Sequence, residues 1–128
     1  MPVKPFQYLD QSSGAIVNDA VLPSWALALD DVGDPVKMGA YSDRTVHFYG
    51  VFSGGTVSLR GSNLPSPDPE DDGHWFTLTD PKLTTALEGI ATPSGYVLYE
   101  NPLFISPKLV GGDGATLVNV SILGRKRQ

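Results

Sequence analysis

The sequence predicts an all-β fold, a single-domain β-sandwich, and three observations carry that expectation. The chain has 128 residues, the size of one domain. Its 14 glycines and 11 prolines punctuate it too densely for long helices. Between them recur short runs rich in β-branched and aromatic residues, bounded by turn signals as in sandwiches and barrels. The expected organisation is an extended N-terminal arm at 1–24, a sandwich domain at 25–124 and a basic C-terminal tail at 125–128.

The arm is the least regular stretch. Pro2, Pro5 and Pro23 break any helical period, which leaves an extended path. Phe6, Tyr8 and Leu9 are costly to leave in water, so they are expected to dock, with a neighbouring subunit as one available surface. Strands begin at Trp25–Leu29, which the turn at 30–35 ends. Val36–Met38 alternates briefly. Thr45–Phe52 is the strongest strand, β-branched and aromatic throughout. After Ser53-Gly54-Gly55, Thr56–Arg60 alternates, putting Val57 and Leu59 on a buried face and Ser58 and Arg60 on a wet one.

A loop at 61–73 follows, with three prolines and the acids Asp68, Glu70, Asp71 and Asp72. It reads as an exposed, extended tip. His74–Thr79 reads as a strand, and Lys82–Glu88 as a short helix that Asp80-Pro81 caps. Tyr96–Tyr99, Leu103–Ser106 and Thr116–Leu123 complete the set, the last after the hairpin signal Gly111-Gly112-Asp113-Gly114. Seven to nine short strands without an internal repeat point to a jelly-roll sandwich, with the strand order left open.

Chemical motifs are sparse. Ser53-Gly54-Gly55 lacks the upstream glycine of a nucleophile elbow, and no phosphate-binding glycine pattern is present. The chain has two histidines, His47 and His74, too few for a multi-histidine metal site, and both fall on expected strands. The acidic loop lacks the spacing of an EF-hand. Most acids sit beside Pro or Gly, where Asp favours turns. The expectation is a protein that is not an enzyme, with no catalytic, cofactor or metal residues and no cofactor.

Charge narrows the partners. Fourteen acids face nine bases, and three of the bases are Arg125, Lys126 and Arg127. An acidic body does not suit a phosphate backbone, so no nucleic acid is expected. No apolar run approaches the ~18–20 residues of a membrane helix, so no membrane partner is expected either. Cysteine is absent, which excludes disulfides and thiolate metal sites and suits a cytoplasmic site of synthesis. Aromatic side chains on strands leave a carbohydrate-binding module open as an alternative, with Trp25 and Trp75 as its platforms.

One resemblance adds to this. Thr56-Val57-Ser58-Leu59-Arg60-Gly61-Ser62-Asn63, followed after a loop by Trp75-Phe76-Thr77-Leu78, resembles a strand step of galactose-binding-like jelly rolls. The fuller run adds Thr79-Asp80, Glu100-Asn101-Pro102, Ile105-Ser106-Pro107 and Gly111-Gly112-Asp113-Gly114. It is similar to small virion proteins of tailed bacteriophages, some of which decorate or cement the head shell. The likeness covers residues 45–123, and the proline-rich loop at 64–73 departs from it. It implies a virion structural protein on the capsid surface, made in the host cytoplasm. The implied partners are the major capsid protein and further copies of the chain, as dimer or trimer. A tail or baseplate component is the other virion reading. The residues expected at such contacts are Phe6, Tyr8, Leu9 and Trp25 in and beside the arm, and Arg125, Lys126 and Arg127 in the tail.

Overall fold

Alternating side chains build the layers. Along Asp43–Val51, the side chains of Arg44, Val46 and Phe48 are buried, while Asp43, Thr45 and His47 face water. The same period of two runs through the other long strands. The computed structural model describes residues 3–8, 20–81 and 85–126. Within them are β1 (Val3–Lys4), β2 (Gln7–Tyr8), β3 (Ala20–Val21), β4 (Pro23–Leu27), β5 (Val32–Gly33), β6 (Val36–Lys37), β7 (Asp43–Val51), β8 (Thr56–Ser62), β9 (Phe76–Thr77), β10 (Ser94–Val97), β11 (Phe104–Val110) and β12 (Leu117–Arg125).

They form two packed sheets. The β8 sheet runs β1-β5-β11-β8-β9, with β6 also on β11. The β7 sheet runs β10-β7-β12-β4-β2, with β3 also on β12. β3 and β4 keep one register along β12, from Ala20 opposite Arg125 to Leu27 opposite Val118, so they are one strand interrupted at Leu22. β5 and β6 are likewise one strand, but its register on β11 slips by one residue across Asp34-Pro35. A bulge there accommodates the missing proline N–H.

Setting β1 and β2 aside, eight strands remain, and their antiparallel pairings are nested. The first pairs the eighth (β4 with β12), the second the seventh (β5/β6 with β11), the third the sixth (β7 with β10) and the fourth the fifth (β8 with β9). That is a long hairpin rolled into two sheets, a jelly roll. The all-β sandwich expected from the sequence is the fold observed.

The core lies between the sheets, around Trp25, Leu27, Phe48, Leu59, Ile105 and Ile122. Packing is close enough that Gly33 has no room for a side chain. A Cβ there would sit 2.6 Å from Pro107 and 2.8 Å from Trp25. Trp25 also ties the layers by a hydrogen bond, its indole N–H donating to the Asp34 carbonyl at 3.0 Å.

The described parts of the arm belong to both sheets. β1 lies parallel on β5, and β2 antiparallel on β4, so residues 3–8 close the side where β4 and β5 part. Phe6, between them, packs edge-on to Trp25 at 6.0 Å and to Tyr8 at 5.3 Å. Leu9 lies outside the described residues.

Three local expectations need correction. His74 closes a single turn of 3-10 helix at Asp72–His74, capped by Asp71, and the strand there is only Phe76–Thr77. In the expected helix Lys82–Glu88, residues 82–84 lie outside the described residues, and the rest is not helical. Ala86 bridges Thr79, and Leu87 is buried with backbone bonds to Leu59 and Leu78. Burying Leu87 against two strands outweighs the local cap. Finally, β10 starts at Ser94 and ends at Val97, after which the Tyr99 N–H turns to the Thr79 carbonyl. Among the described residues no helix is long and apolar enough to cross a membrane.

Candidate functional site

The two sheets present very different outer faces. On the β8 sheet, alternation directs Ser58 and Arg60 outward, and register places Lys108 beside Ser58, and Ser106 and Thr77 beside Arg60. Arg60 was expected in water; it is 6% exposed. The acidic loop covers it. Its guanidinium donates to the Pro69 carbonyl at 3.1 Å and to Ser106 Oγ at 2.9 Å, and stacks 4.7 Å over the Trp75 ring. Ser106 passes the bond on to the Gly33 carbonyl. Burial pushes the Arg60 pKa down to about 10, partly opposed by Asp72, so the group stays charged at neutral pH.

The acids of this loop hold the loop itself. Asp72 bonds Lys108 Nζ at 2.9 Å and stands 3.6 Å from Arg60 Nη1. Its carboxyl is held below the usual range, chiefly by the Lys108 hydrogen bond and charge. Asp68 accepts from the Glu70 N–H, and Asp71 from the Gly73 N–H. His74 Nδ1 accepts from the Asp68 N–H, while Nε2 lies 3.2 Å from Asp71. Trp75 donates its indole N–H to the Asp68 carbonyl. The loop is thus a clamped cover, not an extended tip. Among the described residues no three His, Asp or Glu side chains gather as a metal site.

Among the described residues no loop covers the β7 sheet. Its centre carries small polar groups: Ser24 and Ser121 share a hydrogen bond at 2.9 Å, and His47 packs on Tyr49 at 4.8 Å between ring centres. Towards the Tyr99 end the face turns apolar. Leu123, Thr45 and Val97 lie side by side in register, with Tyr99 beyond them. Val97 is 50% exposed and Tyr99 57%. With Pro81, Asp43 and Arg125 they line a groove of about 550 Å³. Large side chains this exposed on one continuous sheet face mark a place where another surface can displace water.

Below the groove, Arg44 closes the end of the core. It is 2% exposed, and one guanidinium nitrogen donates to the Glu100 carbonyl. Burial lowers its pKa, opposed by the Glu100 charge. The Glu100 carboxylate accepts from the Thr79 N–H and hydroxyl at 2.8 and 2.6 Å, which fixes the wall bearing Tyr99. At the opposite end Asp113 serves its turn, accepting from Ser53 and from the Ala115 N–H.

The residues expected at contacts scatter. Trp25 is 1% exposed and belongs to the core, so its surface cannot meet a partner. Phe6 is half-buried against it, and Tyr8 is exposed at the edge of the β7 sheet. Arg125 lines the groove, and the Lys126 ammonium lies 5.8 Å over the Tyr41 ring. Leu9 and Arg127 lie outside the described residues. Sequence reading missed Val97, Tyr99 and Leu123 as a group, because only the β10-β7-β12 order brings them together. Trp75 is half-buried, and Arg60 lies over one face of its ring.

No protein-family model matches the chain, and no curated protein matches it in sequence.

Proposed function

We propose that the chain is a structural protein of a tailed-bacteriophage virion, one that decorates the capsid by binding the major capsid protein. The observation that carries this reading is the open groove on the β7 sheet, with Val97 and Tyr99 exposed beside Leu123. It offers apolar area to a protein partner, flanked by Arg125 for acidic groups. The strand pattern over 45–123 that resembles phage virion proteins supports it from the sequence side. A stable contact buries ~1,200–2,000 Å² in total, which the groove reaches only as the centre of a wider footprint. Further copies of the chain and the capsid surface together supply such a footprint.

The test is the copy number of the chain relative to the major capsid protein in purified particles, by quantitative mass spectrometry. Decoration predicts a ratio near one or a simple fraction of it. A few copies per particle would move the protein to the tail or baseplate, and absence from particles would end the virion reading.

A further inference from the structure

The cleft beside the acidic clamp has features that the docking surface does not use. It has a volume of about 240 Å³ on the outer face of the β8 sheet. Its floor is a patch of four side chains set by strand register: Ser58 beside Lys108, and Arg60 beside Thr77. Asp72 and Trp75 form its wall. Arg60 is more than nine-tenths buried, yet its Nε and Nη1 have no hydrogen-bond partner among the described residues. Nη1 stands 3.6 Å from Asp72 Oδ1, beyond hydrogen-bond reach. The hydroxyls of Ser58 and Thr77 are also without a partner among the described residues. Buried donors left unpaired are rare and costly in folded proteins, and a ligand is one way to satisfy them.

The chemistry of the lining narrows the ligand. Two cations with one acid between them leave a net positive charge on a protein that is acidic elsewhere. Asp72, 74% exposed, is the only carboxylate at the cleft among the described residues and is poised against both cations. Beside them lie two free hydroxyls and the exposed ring of Phe76. The volume is below the ~300–1,000 Å³ of sites for drug-sized ligands, so it admits a body of one ring. A carboxylate for the cations, hydroxyls for Ser58 and Thr77 and a ring face for the aromatic rim are the parts of an acidic sugar.

We propose that this cleft binds a single acidic sugar residue, of the uronic acid class, whose carboxylate takes the position that Asp72 holds against Lys108 and Arg60. Asp72 is then a built-in stand-in for the ligand carboxylate. When it swings out, Arg60 Nη1, 3.6 Å from Asp72 Oδ1, becomes available to the ligand carboxylate.

Glucuronate titrated into the full chain tests this, read by Trp75 fluorescence and by calorimetry, with glucose and acetate as comparison probes. Trp25 is enclosed, so a ligand-induced change reports Trp75. Glucuronate is expected to bind, with glucose and acetate each at least about tenfold weaker. Lys108→Ala should weaken glucuronate by about tenfold, while Asp72→Asn should tighten it by about threefold, since a competing carboxylate is removed. Both substitutions are at exposed or half-buried positions, and an unchanged circular dichroism spectrum confirms that each variant is folded. Absence of glucuronate binding to folded Asp72→Asn would overturn the proposal. Equal affinity for glucose would overturn the role of the cations, and equal affinity for acetate would overturn the sugar class.

Discussion

The two outer faces rest on one core and differ in what covers them. The β8 sheet directs Arg60 and Lys108 outward, then folds the acidic loop back across them, with Asp72 and Trp75 as the contacts. Among the described residues the β7 sheet carries no such cover, and Val97 and Tyr99 stand half-exposed beside Leu123. A charged face is closed by its own chain because the loop at 68–75 carries the opposite charge that Arg60 and Lys108 need. On the apolar face no described segment plays that part. One face leaves a small charged cleft, and the other a broad groove.

Substitutions can break this contrast or sharpen it. The largest effect should come from Trp25→Ala, which removes a core ring and the bond to Asp34 that joins the sheets. A loss of about 3–5 kcal/mol in urea unfolding is expected, and both faces should loosen together. Arg60→Ala should act on one face. It removes two hydrogen bonds, a ring contact and a buried stem, and should cost about 2 kcal/mol. Trp75 fluorescence should then report a freed loop while the groove of the β7 sheet is unchanged. If Trp75 emission stays that of the native protein, the clamp does not depend on Arg60.

The clamp should also respond to acid. Asp72 has a depressed folded pKa, so its contribution is present above the unfolded value of ~3.9 and lost as pH falls through the folded one. Because Asp72 is exposed and screened, the contribution stays below about 1 kcal/mol. A Trp75 fluorescence change below about pH 4 that precedes global unfolding is expected, and Asp72→Asn should abolish that step. The smallest stability effect belongs to the open face. Val97→Ser with Tyr99→Ser should shift unfolding by no more than about 0.5 kcal/mol, since both side chains already face water. A larger loss would mean that these residues hold the fold and do not await a partner.

The same contrast explains what the sequence made legible. Alternation in Thr45–Phe52, Thr56–Arg60 and Thr116–Leu123 identifies strands and their buried faces, because the period of two is local. Burial of Arg60 was not legible, since the cover arrives from residues 68–75 through tertiary contacts. The Lys82–Glu88 segment misled for a related reason: its local cap favours a helix, while the site that takes Leu87 lies on β8. The groove depended on strand order. Val97 and Leu123 are far apart in sequence and meet only because β7 lies between β10 and β12.

The most direct test of the docking proposal is binding of the purified chain to undecorated capsid shells of the tailed phage proposed to carry it, followed by co-sedimentation. Two charge-altering variants mark the two faces, Tyr99→Asp on the open one and Lys108→Ala on the clamped one. Tyr99→Asp is expected to stay folded and lose attachment, while Lys108→Ala attaches like the unaltered chain. Full attachment of Tyr99→Asp would contradict the docking proposal.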